Sequence, residues 1–182
     1  SGNDTAVVTV LLGEGPERRI LAITLMKVPS PGVTTRLASD ADGPVLRDLE
    51  RRCAVETGGV SVYYDRGDEY FAQQRLMAHH LTSIAEYKGN VVGVSSDAIH
   101  EIKVGGTDFR SSYRFHLRID PAARGLGILP ALNTSQQPHI FNERPVPIPH
   151  NFIATQNTQM LTVVGSEQNL ARWATPIERI VI

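Results

Sequence analysis

Residues 115–132 read FHLRIDPAARGLGILPAL. The segment begins as an alternating strand, turns at Asp120-Pro121, passes through Arg124-Gly125-Leu126-Gly127 and enters an apolar run, Ile128, Leu129, Ala131 and Leu132, with helical potential. A strand, a glycine-bearing turn and a helix start make an anion-binding junction, because the first helical turn leaves backbone N–H groups without partners and carries partial positive charge. Gly125 and Gly127 lack a Cβ, so a diphosphate can come close to the main chain. Arg124 can add a bidentate contact. By itself a GxG after a strand is a weak signal, since many such turns bind nothing.

The elements upstream narrow the reading. LTSIAEY (81–87) and VVGVSSDAIHEI (91–102) are two strands joined by a tight turn at Lys88-Gly89-Asn90. Gly105-Gly106 turns the chain again, and TDFRSSYRFHLRID (107–120) is the strand that feeds the glycine turn. Three antiparallel strands, then a phosphate turn, then a helix is the order expected here.

That order, with the run from Arg118 to Gly127, resembles the acyl-CoA loop of the GNAT superfamily of acetyltransferases, in which a strand leads into Pro-x-x-Arg-Gly-x-Gly and a helix. Against the family's Gln/Arg-x-x-Gly-x-Gly/Ala pattern, Arg124 and Gly127 match, and the last position is Leu129. The resemblance covers about residues 33–182. It implies an α/β domain with a mixed, largely antiparallel sheet flanked by helices, and an N-acetyltransferase that moves an acetyl group from acetyl-CoA to an amine by direct transfer. It also implies roles for residues: Arg124, Gly125, Leu126, Gly127 and Ile128 at the pyrophosphate, and Leu117 and Ile119 along the pantetheine arm. Asn157-Thr158-Gln159-Met160-Leu161 resembles the family's next signature, which places Asn157 at the cofactor's distal arm.

The totals fit one well-cored domain of 182 residues with 41% hydrophobic content. A net charge of −1 gives no global basic field for nucleic acid or an anionic membrane. No apolar run approaches the roughly 20 residues of a spanning helix, and a single cysteine, Cys53, excludes an internal disulfide framework and fits a reducing compartment. A cytoplasmic protein is expected.

Ahead of the resembling region, AVVTVLL (6–12) and ILAITLM (20–26) flank GEGPERR, so residues 1–32 read as a β-hairpin extension and linker, with 33–182 as the main domain. VTTRLAS (33–39) reads as a strand, and Asp40 or Asp42 as the cap of a helix over 43–55 whose stripe is Val45, Leu49 and Cys53. A second helix is expected over about 68–79. Tyr63, Tyr64, Tyr70 and Phe71 read either as core packing or as an aromatic wall for an amine. The proline-bearing segment 133–150 reads as the end of the helix begun at Gly127, followed by an inserted loop, with strands at NFIAT (151–155) and PIERIVI (176–182). An ending in mid-strand points to a truncated domain, or to a homodimer or second domain pairing with that strand.

Transfer from a thioester to an amine needs a neutral amine, oxyanion stabilisation and an acid for the thiolate. Strand alternation puts Tyr113, Phe115, Leu117 and Ile119 on one face and Arg114, His116, Arg118 and Asp120 on the other. His116, beside the phosphate turn, is the candidate base; a structural histidine between two arginines is the competing reading. No Tyr follows position 113, so the family's tyrosine acid has no counterpart. That gap leaves a second reading open: a non-catalytic acyl-CoA-binding or regulatory module, part of a tandem protein. The histidines form no HxxxH and no CxxC is present, so no metal site is expected, and GxSxG and GxxxxGKS/T elements are absent.

Overall fold

In the computed structural model, which describes residues 6–12, 20–57, 59–141 and 148–153, the chain divides into two units. One comprises Val28–Phe152; the other combines Ser1–Lys27 with Ile153–Ile182. In the latter, β1 (Ala6–Leu12) and β2 (Ile20–Lys27) pair antiparallel. The expected helix start at Asn157 and the strand over 176–182 lie outside the described residues.

The larger unit opens with β3 (Val33–Leu37) and α1 (Gly43–Arg52). Asp42 precedes the helix, its carboxylate accepting bonds from the Ser39 N–H at 2.7 Å and from Arg36 at 2.6 Å, and Arg51 and Arg52 complement the dipole at the far end. The Arg36 guanidinium, against the cost of burial, holds the Asp42 carboxyl far below the usual carboxylate range. The buried face of α1 is Leu46, Leu49 and Glu50, while Val45 and Cys53 sit at its rim. Burial pushes the Cys53 thiol up to about 11, that of an inert thiol.

A short hairpin follows, β4 (Val55–Thr57) and β5 (Val60–Val62), then α2 (Ala72–Arg75). The helix expected over 68–79 is therefore only a single turn. Next come β6 (His79–Tyr87), β7 (Asn90–Val104) and β8 (Thr107–Ile119). Lys88 and Gly89, at φ 50° and 78°, make the two-residue turn whose twist suits a hairpin.

After β8 the chain enters α3 (Ile128–Phe141) and then β9 (Ile148–Asn151). Here the structure corrects two expectations. The helix does end inside the 133–150 segment, but it reaches Phe141, well into the stretch expected as loop, because Ile128, Leu132, Gln136 and Ile140 continue one buried stripe. Gln136 is tolerated there because its Nε2 donates to the Ser95 carbonyl at 2.8 Å. Pro138 removes one helical hydrogen bond, yet buried groups on both sides keep the last turn on the sheet. The strand expected over 151–155 lies earlier, at Ile148–Asn151.

The sheet order is β3-β6-β7-β8-β9, antiparallel except for the parallel pair β8–β9. One face carries α1 and a core of Leu46, Leu49, Tyr70, Phe71, Ile84, Val91 and Val94. The other carries α3, with Ala85, Val92, Ala123, Ile128 and Leu132. The fold is a mixed α/β arrangement: a five-stranded, mostly antiparallel sheet flanked by helices.

Gly93 sets the distance between α3 and the sheet, since a Cβ there would lie 2.5 Å from Ile128 Cγ2. Ile128 is enclosed, so α3 itself must move to admit a methyl group. Gly93→Ala is expected to cost about 1–3 kcal/mol by overpacking and to lower Tm by several degrees in a thermal melt. An unchanged Tm would show that the seat is looser than described.

Candidate functional site

Two features of the junction after β8 shape the site. The first is the turn. The Asp120 carboxylate accepts the Ala122 N–H at 2.9 Å and the Arg52 Nε–H at 2.6 Å, closing a tight turn over Pro121–Ala123. Burial works against the charge, but Arg52 and the N–H hold the Asp120 carboxyl below its ordinary value. Gly125 and Gly127 follow at φ 83° and 75°. A Cβ on Gly127 would lie 2.8 Å from Pro29 Cα, and the Ser30 N–H donates to the Leu126 carbonyl at 2.9 Å, so the stretch around Pro29 is pressed against the turn. Among the described residues the N–H groups of Gly125, Gly127, Ile128 and Leu129 have no backbone acceptor. Pro130, next in α3, has no N–H to satisfy. Arg124 is exposed beside them.

The second feature is a β-bulge. Val94 pairs with Arg118 and Ser96 with Phe115, so Ser95 alone faces both His116 and Leu117. His116 takes the left-handed φ of 54° that the extra residue requires. The bulge overturns the expected alternation. Tyr113 and Phe115 share a face with Arg118, toward α1, whereas Leu117 and Ile119 pack against the cluster beneath α3. β9 pairs only with Ser111–Arg114, so residues 115–119 of β8 present an open main-chain edge among the described residues.

His116 is brought to this place with both ring nitrogens engaged. Its Nδ1 lies 3.1 Å from Gln74 Nε2, which can only donate, so Nε2–H donates to Gln73 Oε1 at 2.8 Å. Burial, with Arg66 and Arg118 nearby, pushes its pKa down to about 3. The ring ties α2 to β8, an arrangement that favours the competing reading of a structural histidine. The aromatic group divides: Tyr70 and Phe71 are core, while Tyr63 and Tyr64 are exposed. Asn157 lies outside the described residues.

Two buried carboxylates were not apparent from the sequence. Glu50, 1% exposed, receives Arg118 Nε at 2.7 Å and Arg66 Nη2 at 3.2 Å. Asp97 receives Arg114, which also reaches Asn133 on α3. Burial raises the Asp97 carboxyl against the pull of Arg114. Both carboxylates are engaged, so neither is open to an incoming cation.

Also absent from the sequence reading is an aromatic row at the fork of β8 and β9. Tyr113 stacks on Phe115 at 5.3 Å and on His150 at 5.1 Å, with Phe152 edge-on at 5.7 Å. His150 Nδ1 lies 2.8 Å from Ser111 Oγ, and the His100 ring stands edge-on 5.7 Å away. Only the parallel register of β9 brings these groups together, and a four-residue strand gives no periodic signal for it.

No family model and no curated protein matches the chain. Solved structures do match. A predicted acetyltransferase from Clostridium acetobutylicum, crystallised with acetyl-CoA, is 16% identical with a TM-score of 0.53, covering 80% of this chain and 96% of that one. An aminoglycoside 6'-N-acetyltransferase from Acinetobacter baumannii is 18% identical with a TM-score of 0.56, covering 83% and 96%. A transcriptional regulator from Bacillus halodurans is 18% identical with a TM-score of 0.58, covering 82% and 98%. The sheet with its α3 junction and these likenesses define one class: the chain has the fold of the GNAT acetyltransferase superfamily.

Two predictions follow from this geometry. Gly127→Ala forces a side chain into positive φ and against the backbone at Pro29, and should lower Tm by more than Gly125→Ala, where a Cβ meets nothing within 4 Å; equal effects would contradict the packing. For His116, the unfolded chain binds a proton near pH 6.5 and the folded chain only near 3. The unfolded state therefore holds more protons between those values, and stability should fall as pH falls through that window. His150, also shifted down, adds in the same direction. Denaturant melts of His116→Gln should show a shallower decline; an identical slope would mean that the ring is not held neutral.

Proposed function

We propose that the chain is an N-acetyltransferase that takes the acetyl group of acetyl-CoA and passes it directly to an amine. The observation that carries this reading is the junction itself: among the described residues, N–H groups without a backbone acceptor at the start of α3 beside an open main-chain edge on β8. An N-terminus with free donors suits a diphosphate, and an open strand edge suits an extended amide-bearing arm.

In this reading the N–H groups of residues 125–128, with Arg124, hold the pyrophosphate. The main chain at Leu117 and Ile119 pairs with the pantetheine arm, while their side chains stay under α3 and fix the edge in place. Asn157 remains the proposed contact for the distal arm. Backbone donors after the bulge receive the oxyanion; such donors are pre-oriented and impose no residue type. Thiolate departure needs little help, since a thiol's reference pKa is about 8.5.

The acceptor is an amine. A fold shared with an enzyme acting on aminoglycosides does not choose among small amines, peptide N-termini and lysines. Two observations favour the second reading, an acyl-CoA-binding regulatory module: His116 has both ring nitrogens engaged, and a regulator shares the fold.

The two readings separate in a thiol-release assay with acetyl-CoA and a panel of small amines, peptides and aminoglycosides. Amine-dependent release of CoA is expected, and Arg124→Ala should raise the KM for acetyl-CoA roughly tenfold, the loss of one charge-assisted contact. Binding of acetyl-CoA without release across the panel would support the module; no binding at all would remove both.

A further inference from the structure

We propose that His150 is the base that takes the proton from the acceptor amine, a role that rests on the transfer reading above. The fork between β8 and β9 is where the chemistry would fall. From the α3 turn, the open edge of β8 runs back from Ile119 to Phe115, about 13 Å at the usual strand rise, and stops where pairing with β9 begins at Arg114 and Asn151. An arm laid along that edge delivers its acyl end to the fork. His150 stands one residue from it, opposite Tyr113, on the face away from α3.

The ring is held for such a role. His150 Nδ1 lies 2.8 Å from Ser111 Oγ, and among the described residues Nε2 has no hydrogen-bond partner; in the tautomer the proposed role uses, Nδ1–H donates to the hydroxyl and the Nε2 lone pair is available. Stacking on Tyr113 fixes the ring plane, and the ring is half-buried rather than sealed. His116 is the opposite case, with both nitrogens closed by glutamines. Among the described residues, the titratable groups facing His150 are His100 from β7 and Tyr113 from β8. Burial, with His100 adding to it, holds the ring below its ordinary value, so it is neutral and able to accept at pH 7.

His150 Nε2 takes one proton from the ammonium, leaving a neutral amine and an imidazolium. The nitrogen lone pair attacks the thioester carbonyl carbon and forms the C–N bond. The oxyanion collapses, the C–S bond breaks, and the sulfur leaves with the electron pair and takes up the second nitrogen proton through solvent. The products are the amide and CoA; the imidazolium returns its proton to bulk water.

The test compares wild type, His150→Asn, His150→Gln and His116→Gln for CoA release with the best amine of the panel, from about pH 5 to 9. His150→Asn keeps a donor for Ser111 and removes Nε2, so it separates the base from the fold; a melt confirms each variant is folded. Expected is a drop in kcat of about 10²–10⁴-fold for both His150 variants, with acetyl-CoA affinity kept and the rise of kcat below pH 6.5 lost. His116→Gln should retain that rise. A His150→Asn enzyme with wild-type kcat or an intact acid limb overturns the inference alone. A wild type that binds acetyl-CoA yet releases no CoA with any amine overturns the transfer reading, and this inference with it.

Discussion

One extra residue in β8 controls the rest. Because Ser95 faces both His116 and Leu117, the strand turns over between Phe115 and Leu117. Ahead of the bulge, Tyr113 and Phe115 point toward α1; beyond it, Leu117 and Ile119 anchor the strand under α3. The same irregularity coincides with the end of pairing to β9, so among the described residues the main chain from 115 to 119 has no partner strand on that side. A regular strand would leave Leu117 and Ile119 on the wrong face, and the segment leading into the α3 turn would lose its seat. The left-handed backbone at His116 is strained for a residue with a side chain, and the glutamines of α2 hold its ring in that position.

Around that bulge, small residues and engaged charges keep the junction fixed. Gly93 lets α3 sit close to β7, and Gly127 lets the turn rest on the backbone at Pro29. Glu50 and Asp97 would be costly alone in the interior; each is met by arginine, from β8 in both cases. Arg114 and Arg118 therefore secure β8 on its two faces, one toward α3 through Asn133 and one toward α1 through Glu50. Among the described residues, the N–H groups at the head of α3 are left without backbone acceptors.

Much of this was legible in the sequence, for identifiable reasons. Lys88-Gly89 requires positive φ at both positions, so the β6–β7 hairpin was readable, and Arg124-Gly125-Leu126-Gly127 announced the turn. What failed were statements that assume regularity. Alternation along 113–119 broke because no residue type marks a bulge, and His116 carries its positive φ only because the tertiary structure holds it. The prolines of 133–150 marked that segment as the end of α3 and a loop, whereas a stripe of Leu132, Gln136 and Ile140 carries the helix through Pro138 to Phe141. His150 could not be placed from sequence, since its neighbours Ser111, Tyr113 and His100 come from other strands.

A main-chain cradle and a main-chain edge act together at this junction, and backbone amide resonances report both. Titrating the isotopically labelled protein with acetyl-CoA should shift the amides of residues 125–129 other than any that remain in turn hydrogen bonds, together with those of 115–119, while β3 and the solvent face of α1 stay unchanged. Shifts confined to other parts of the sheet, or none at saturating acetyl-CoA, would contradict it.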